Sequence, residues 1–267
     1  MGPQGAPDQS RRRRETLIIA VVAALLAVGG AAIGALVLGR AGLPRRATEQ
    51  GAEIVTLWRW LLGIAGAIAG VVLAFLFSAL ALAWRDRREP EPEQVAGNVR
   101  LELLYTAIPL VIVGWVFVLS LAASDAVDDP VPDDALHVTV TGFQWGWRFD
   151  YGDGVTVIGA APESPELVLP VDRSIAFELQ SSDVIHSFFS PAFLTKLDVI
   201  PGRMNELVVT TAREGVFDGH CAEFCGLDHA RMNFVVRVVS QDEFDAWLSE
   251  ARAEGARAGG DDGGNGG

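Results

Sequence analysis

Between His220 and Met232 the chain reads HCAEFCGLDHARM, which sets Cys221, Cys225, His229 and Met232 within a dozen residues of one another. Each of these side chains carries a soft or borderline metal-ligating atom. Thiolate, imidazole and thioether together favour copper over magnesium, calcium or manganese. Zinc would accept the two thiolates and the imidazole but has little use for a thioether. Two cysteines in an extracytoplasmic domain are also the usual makings of a disulfide. A bridge between Cys221 and Cys225 would close a tiny loop and gain little from chain entropy.

A short loop crowded with such ligands resembles the ligand loop of the cupredoxins, in which one histidine comes from far upstream. A blue copper centre, however, uses a single cysteine. Two cysteines separated by three residues suggest two thiolates bridging two copper ions. Cys221, Glu223, Cys225, Gly226, His229 and Met232 match the pattern C-x-E-x-x-C-G-x-x-H-x-x-M without a gap. The loop thereby resembles the dinuclear copper A site of subunit II of the haem-copper cytochrome c oxidases. That resemblance implies that Cys221 and Cys225 bridge and that His229 and an upstream histidine each bind one copper. Met232 and the backbone carbonyl of Glu223 would be the weak ligands. Two bridging sulfurs spread one electron over both metals, so geometry changes little on reduction, and the histidines and axial ligands tune the potential.

The elements that must carry this loop fall into two unlike halves. Half of the 267 residues are hydrophobic, and most of these sit in three runs before residue 124. The first 123 residues hold 12 Lys plus Arg against 9 Asp plus Glu, net +3, and the remainder holds 9 against 25, net −16. Such asymmetry predicts a membrane-anchored half and an acidic soluble half suited to a basic partner. Lipid is the expected surround of the anchors, and nucleic acid is not among the expected partners.

Residues 1–16 are polar and end in Arg11 to Arg14, which the positive-inside rule places in the cytoplasm. Residues 17–39 carry no charge and are long enough to cross a bilayer, as a retained helix or as a secretory signal sequence. Residues 57–84 and 103–123 are the second and third predicted spans. Arg85, Arg87 and Arg88 put the connector between them in the cytoplasm, so residues 40–56 fall outside despite Arg40, Arg45 and Arg46. Everything after Ser124 is then expected to be extracytoplasmic in a multi-pass membrane protein, and the extra N-terminal helix and basic leader favour a bacterial cell membrane over a mitochondrial one.

At the start of the third span, Glu102 to Pro109 (ELLYTAIP) resembles the family segment E-x-x-W-T-x-x-P, with Tyr105 in place of the tryptophan. In A-type oxidases a glutamate at the position of Glu102 stands at the entrance of a proton path into subunit I. A carboxylate at a helix start is equally well served by the helix dipole.

After an acidic, proline-bearing connector at 125–134, alternation takes over at 136–141, 166–169, 174–180, 206–210 and 233–239. An all-β sandwich or barrel is the predicted class. FQWGWRFDY at 143–151 reads as one strand with Phe143, Trp145, Trp147, Phe149 and Tyr151 on a single face. The same segment resembles the family motif G-x-Q-W-x-W, in which the first tryptophan, here Trp145, receives electrons from cytochrome c. Gly146 stands where relatives carry an aromatic residue. His186 follows the strand-like SSDVI, and the downstream KLDVIPGR, with Lys196, Asp198, Pro201, Gly202 and Arg203, resembles the family segment K-x-D-x-I-P-G-R. His186 is therefore the distant copper ligand that the resemblance requires. His220, where relatives have glutamine, is not counted as a ligand. In relatives the carboxylate at Glu223 binds a magnesium ion at the boundary with subunit I, in keeping with that cation's preference for oxygen.

Ser240 and Glu243 form a capping box for a last helix with Phe244, Trp247 and Leu248 on its apolar face, and AGGDDGGNGG makes a flexible tail. The expected organisation is thus three membrane segments, a cupredoxin-like Greek-key domain over 135–240, and a helix and tail over 241–267. With no C-x-x-C-H, the donor must be a separate protein. The resemblance, which covers about residues 57–250, implies an electron-accepting subunit II that takes electrons from cytochrome c at copper A. It passes them to haem in subunit I, where oxygen is reduced and protons are pumped, in company with the other oxidase subunits. A quinol oxidase subunit lacks the copper ligands, and a nitrous oxide reductase lacks these anchors. A copper-delivery or structural membrane protein with a mononuclear site stays open.

Overall fold

A computed structural model describes residues 9–85, 96–125 and 130–261. The arginines at 87 and 88, part of the acidic connector and the last six residues lie outside it. The chain divides into a helical unit, residues 1–42 and 55–122, and a second unit made of residues 43–54 and 123–267.

Helix α1 (Gln9–Ala32) begins inside the segment expected to be a polar tail, because its arginines are good helix formers. It passes into one π turn at Ile33–Val37 and a 3₁₀ turn at Leu38–Arg40. Helices α2 (Gln50–Arg85) and α3 (Val99–Asp125) follow. All three are long and apolar enough to cross a membrane. Apolar residues cover every side of α3, and none of its residues is buried, the pattern of a helix solvated by lipid. Within this unit α1 meets α2 backbone to backbone. A Cβ on Gly30 would lie 2.1 Å from the carbonyl oxygen of Gly66, and one on Gly66 equally close to that of Gly30. Only glycine permits this approach, the usual way helices associate where no hydrophobic drive exists between them.

The second unit is a two-sheet β sandwich. One sheet has the order β3-β2-β1-β5-β8, from Thr156–Ala160, Gly146–Asp150, Leu136–Phe143, Ser174–Ser181 and Asn205–Thr210. The other runs β4-β10-β9-β6-β7, from Glu166–Pro170, Asn233–Val239, Gly215–Cys221, His186–Ser190 and Thr195–Val199. Strand β1 pairs in parallel with β5, and β10 with β4, so the two sheets interleave in sequence in the Greek-key manner of cupredoxins. Alternation along β1 buries Val138 and Val140, and β10 buries Phe234, Val236 and Val238. Phe188 stacks on Phe234 with centroids 4.8 Å apart and touches Phe177 at 5.2 Å, forming the centre of the core.

The expected single strand at 143–151 is instead the end of β1, a two-residue turn at Gln144–Trp145, and β2. Phe143 and Gly146 pair across this hairpin and so lie on one face of the ladder, where simple alternation would put them on opposite faces, and Phe143 does not share a face with Trp147. Trp147, Phe149 and Tyr151 are buried. A Cβ at Gly146 would lie 2.3 Å from the Gly159 carbonyl oxygen, which is the physical reason why no aromatic stands there in this chain.

Helix α4 (Gln241–Asp261) closes the sandwich with Phe244 and Trp247 against Tyr151, whose hydroxyl donates to the Val168 carbonyl and accepts the Val168 amide. Only half of the capping box forms. The Glu243 amide donates to Ser240 Oγ, but the Glu243 carboxylate turns to Arg237, 2.8 Å away. The helix also runs through residues 258–261, expected to be flexible tail.

The connector between α1 and α2 is the unexpected element. Ala47 and Thr48 are fully buried in the β unit, and Thr48 bridges Thr211 as a short antiparallel strand. Ala47 N–H donates to the Ala192 carbonyl, Glu49 N–H to that of Thr210, and Ala212 N–H to that of Ala47. Thr48 Oγ1 donates to the Phe193 carbonyl and accepts the Gly51 amide, capping the start of α2 at Gln50 rather than at 57. Arg45 and Arg46 thus sit on the same side of the membrane as the β domain because the strap they flank is built into it, and these contacts outweigh the charge rule. Thr48→Val removes both side-chain hydrogen bonds while keeping the shape. It is expected to cost about 1–3 kcal/mol, read as a lower denaturant midpoint of the purified chain.

Candidate metal centre

Two elements and one loop bring the donors together. His186 is the first residue of β6, just after the 181–185 turn rather than at the end of a strand, and Cys221 is the last residue of β9. Phe188 of β6 pairs with Cys221, which fixes His186 near the cysteine. Cys225, His229 and Met232 come from the loop between β9 and β10, held by Cys221 N–H donating to the Met232 carbonyl.

The nitrogen of His186 and the sulfurs of Cys221 and Cys225 lie within 4.8 Å of one another, and all three residues are buried. Both cysteines are free thiols, with Sγ atoms 3.8 Å apart. Each sulfur has its own imidazole: His186 Nδ1 is 3.9 Å from Cys221, and His229 Nδ1 is 3.6 Å from Cys225. Each also has a weak donor, the Glu223 carbonyl at 3.2 Å from Cys221 and Met232 Sδ at 3.7 Å from Cys225. Six donors arranged as two matched sets exceed what one tetrahedral zinc uses, and they fit a pair of soft ions sharing the sulfurs.

Burial and hydrogen bonding set the two thiols apart. Burial raises the Cys221 thiol, but hydrogen bonds with His186 and the backbone at Glu223 and Ser187 outweigh it and lower it to about 7. Burial and then the charge of Cys221 push Cys225 up. His186 is lowered by burial and raised by more through its bonds to Cys221 and Asp183. A metal ligates thiolate rather than thiol, so metal uptake here would release protons.

Trp145 lies against this loop, its Nε1 donating to the Cys225 carbonyl at 3.2 Å, and Gln144 Nε2 donates to the same oxygen at 2.8 Å. Trp147 is fully buried behind the site, edge-on to His186 and within reach of the Met232 carbonyl. Sequence reasoning passed over Gln144, Trp147 as a site residue, and Asp183, which accepts from His186 Nε2 at 2.8 Å. The only signal for them was adjacency to the aromatic motif and to His186. His220 packs its ring on Phe189, and His137 pairs with Glu178. Glu223 has an exposed side chain. Glu102 lies on α3, where its carboxylate accepts the Asn98 amide while Asn98 Oδ1 caps the Leu101 amide.

The fold and the site define a membrane-anchored protein with a cupredoxin-like, extracytoplasmic metal-binding domain. The family model described as "Cytochrome C oxidase subunit II, periplasmic domain" matches residues 161–239. The chain is 31% identical over 280 residues to a probable cytochrome c oxidase subunit 2 of Nocardia farcinica, covering 80% of this chain and 75% of that one. It is 34% identical over 256 residues to the corresponding protein of Streptomyces avermitilis, covering 81% and 80%. The chain belongs to the cytochrome c oxidase subunit II family. The solved periplasmic domain of subunit II of cytochrome oxidase from Bradyrhizobium japonicum aligns with a TM-score of 0.42 at 38% identity, covering 47% of this chain and 99% of that one.

Proposed function

We propose that this chain accepts single electrons from cytochrome c at a dinuclear copper A centre and delivers them to haem in subunit I, for oxygen reduction coupled to proton pumping. The observation that carries the reading is the matched pair of donor sets around two free thiols 3.8 Å apart. Cys221, Cys225, His186 and His229 would hold the copper pair as its strong donors, and Met232 and the Glu223 carbonyl would be its weak ones. When bound, the copper pair supplies reversible one-electron storage at low reorganisation cost.

The chain's own residues do the rest. Burial of His186, Cys221 and Cys225 excludes water, and the half-buried Trp145 offers a π system hydrogen-bonded to the backbone of a ligand, a route inward from the surface. The exposed carboxylate of Glu223 is available for a magnesium ion shared with subunit I. Glu102, exposed at the start of α3, is placed in the same reading at the entrance of the proton path.

The test is copper content together with the electron paramagnetic resonance spectrum of the purified full-length chain after copper loading. Two coppers per chain sharing one unpaired electron are expected. One copper with a single-nucleus spectrum, or none, would replace this reading with a mononuclear or relic site.

The acidic half, net −16 after residue 123, sets a further expectation. Raising ionic strength toward 0.15 M, where the screening length is about 8 Å, is expected to slow association with a basic cytochrome c steeply. Turnover that is flat across that range would remove electrostatic docking from the account.

A further inference from the structure

One carboxylate outside the six donors touches both halves of the site. Asp183 Oδ1 accepts from His186 Nε2 at 2.8 Å and from the Val184 amide at 2.6 Å. Its other oxygen accepts the Gln144 amide at 2.6 Å. Asp183 is itself fixed, since its amide donates to Ser181 Oγ and Ser181 Oγ donates back to the Val184 carbonyl, closing the turn.

Two consequences follow from these bonds. With Nε2 committed to the carboxylate, His186 presents Nδ1 as its free lone pair, and Nδ1 is the atom that faces Cys221. With its amide held, Gln144 lies where its side chain and the indole of Trp145 both reach the Cys225 carbonyl. The Asp183 carboxylate is therefore the only group among the described contacts that joins the His186 ligand to the turn carrying Trp145.

We propose that Asp183 is the positioning residue of this centre: it fixes the His186 tautomer and, through Gln144, holds Trp145 on the Cys225 loop, so that ligand and tryptophan are set by one group. The proposal rests on the copper reading for its purpose but not for its geometry, and the experiment separates the two.

Full-length chain labelled with 15N at histidine and tryptophan is compared, metal-free, as wild type, Asp183→Ala and Asp183→Asn. The wild type is expected to carry the His186 proton on Nε2. Asp183→Ala is expected to give mixed His186 tautomers and a displaced Trp145 indole resonance. Asp183→Asn offers one acceptor oxygen where the carboxylate uses two, so at least one of the two signals must move even where the alanine variant fails to fold. Unchanged His186 and Trp145 signals in the variants would overturn the proposal. Copper is then added: Asp183→Ala, with all six donors intact, is expected to hold copper tenfold to a hundredfold less tightly against a chelator. Equal retention would overturn the ligand-orienting role. A wild type that takes up no copper pair would sink the copper reading, while the tautomer comparison would still decide the role of Asp183.

Discussion

Cys225→Ser is expected to abolish the proposed copper pair, and with it the proposed electron acceptance from cytochrome c, while leaving the β domain folded. Cys225 is the common neighbour of Cys221, His229 and Met232, all within 3.8 Å of its sulfur. A serine hydroxyl is a hard donor, does not ionise near neutral pH, and cannot span two soft ions. The loop itself should survive. The hydrogen bonds that anchor it at this residue, from Gln144 and Trp145, go to the backbone carbonyl and not to the sulfur. Stability should therefore change by no more than about 1 kcal/mol, against complete loss of the dinuclear spectrum. Copper analysis and the spectrum of the variant decide the matter, and a spectrum unchanged from wild type would end the bridging assignment.

Trp147→Ala should produce the largest loss of stability, about 3–5 kcal/mol, the usual range for removing a fully buried large aromatic. Its ring meets His186, Phe188 and Phe234 edge-on with centroids 5.5–6.2 Å away, so it wedges the core against the metal site. Its Nε1 is directed at the Met232 carbonyl at 3.4 Å, and that carbonyl also receives the Cys221 amide. Alanine would leave a cavity touching His186 on one side and the Phe188–Phe234 stack on the other. The midpoint in denaturant should fall with little change in its slope. A loss below about 1 kcal/mol would show that the core closes over the gap.

The donor loop was readable from the sequence because four of its donors follow one another on a stretch too short to be scattered by folding. His186 was not readable in that way: alone it is a histidine near a strand, and only the family resemblance raised it to a ligand. Strands β1, β4, β5, β8 and β10 announced themselves by alternation of β-branched and polar residues. Strands β3, β6, β7 and β9 did not, since TVIGA, HSFFS, TKLDV and GVFDGHC mix glycine, aspartate or serine into short runs whose strand state comes from neighbours in the sheet. The hairpin at Gln144–Trp145 was hidden by aromatics at period two on both sides of it. The link from Asp183 to Gln144 and the 43–54 strap were hidden for one reason: each joins partners 39 or more residues apart, Gln144 with Asp183 in the first and the strap with Ala192 to Ala212 in the second. No local pattern records such pairings.

The strap also imposes an order on how the protein is made. Residues 47–50 leave the ribosome well before the strands they complete, and they are flanked by the two membrane segments α1 and α2. The carbonyls of Ala192, Phe193 and Thr210 and the amides of Thr210 and Ala212 are hydrogen-bonded to the strap. The β domain therefore finishes folding onto a piece of chain already tethered at both ends, and insertion of the first two helices is a step in maturing the metal-binding domain as well as in anchoring it.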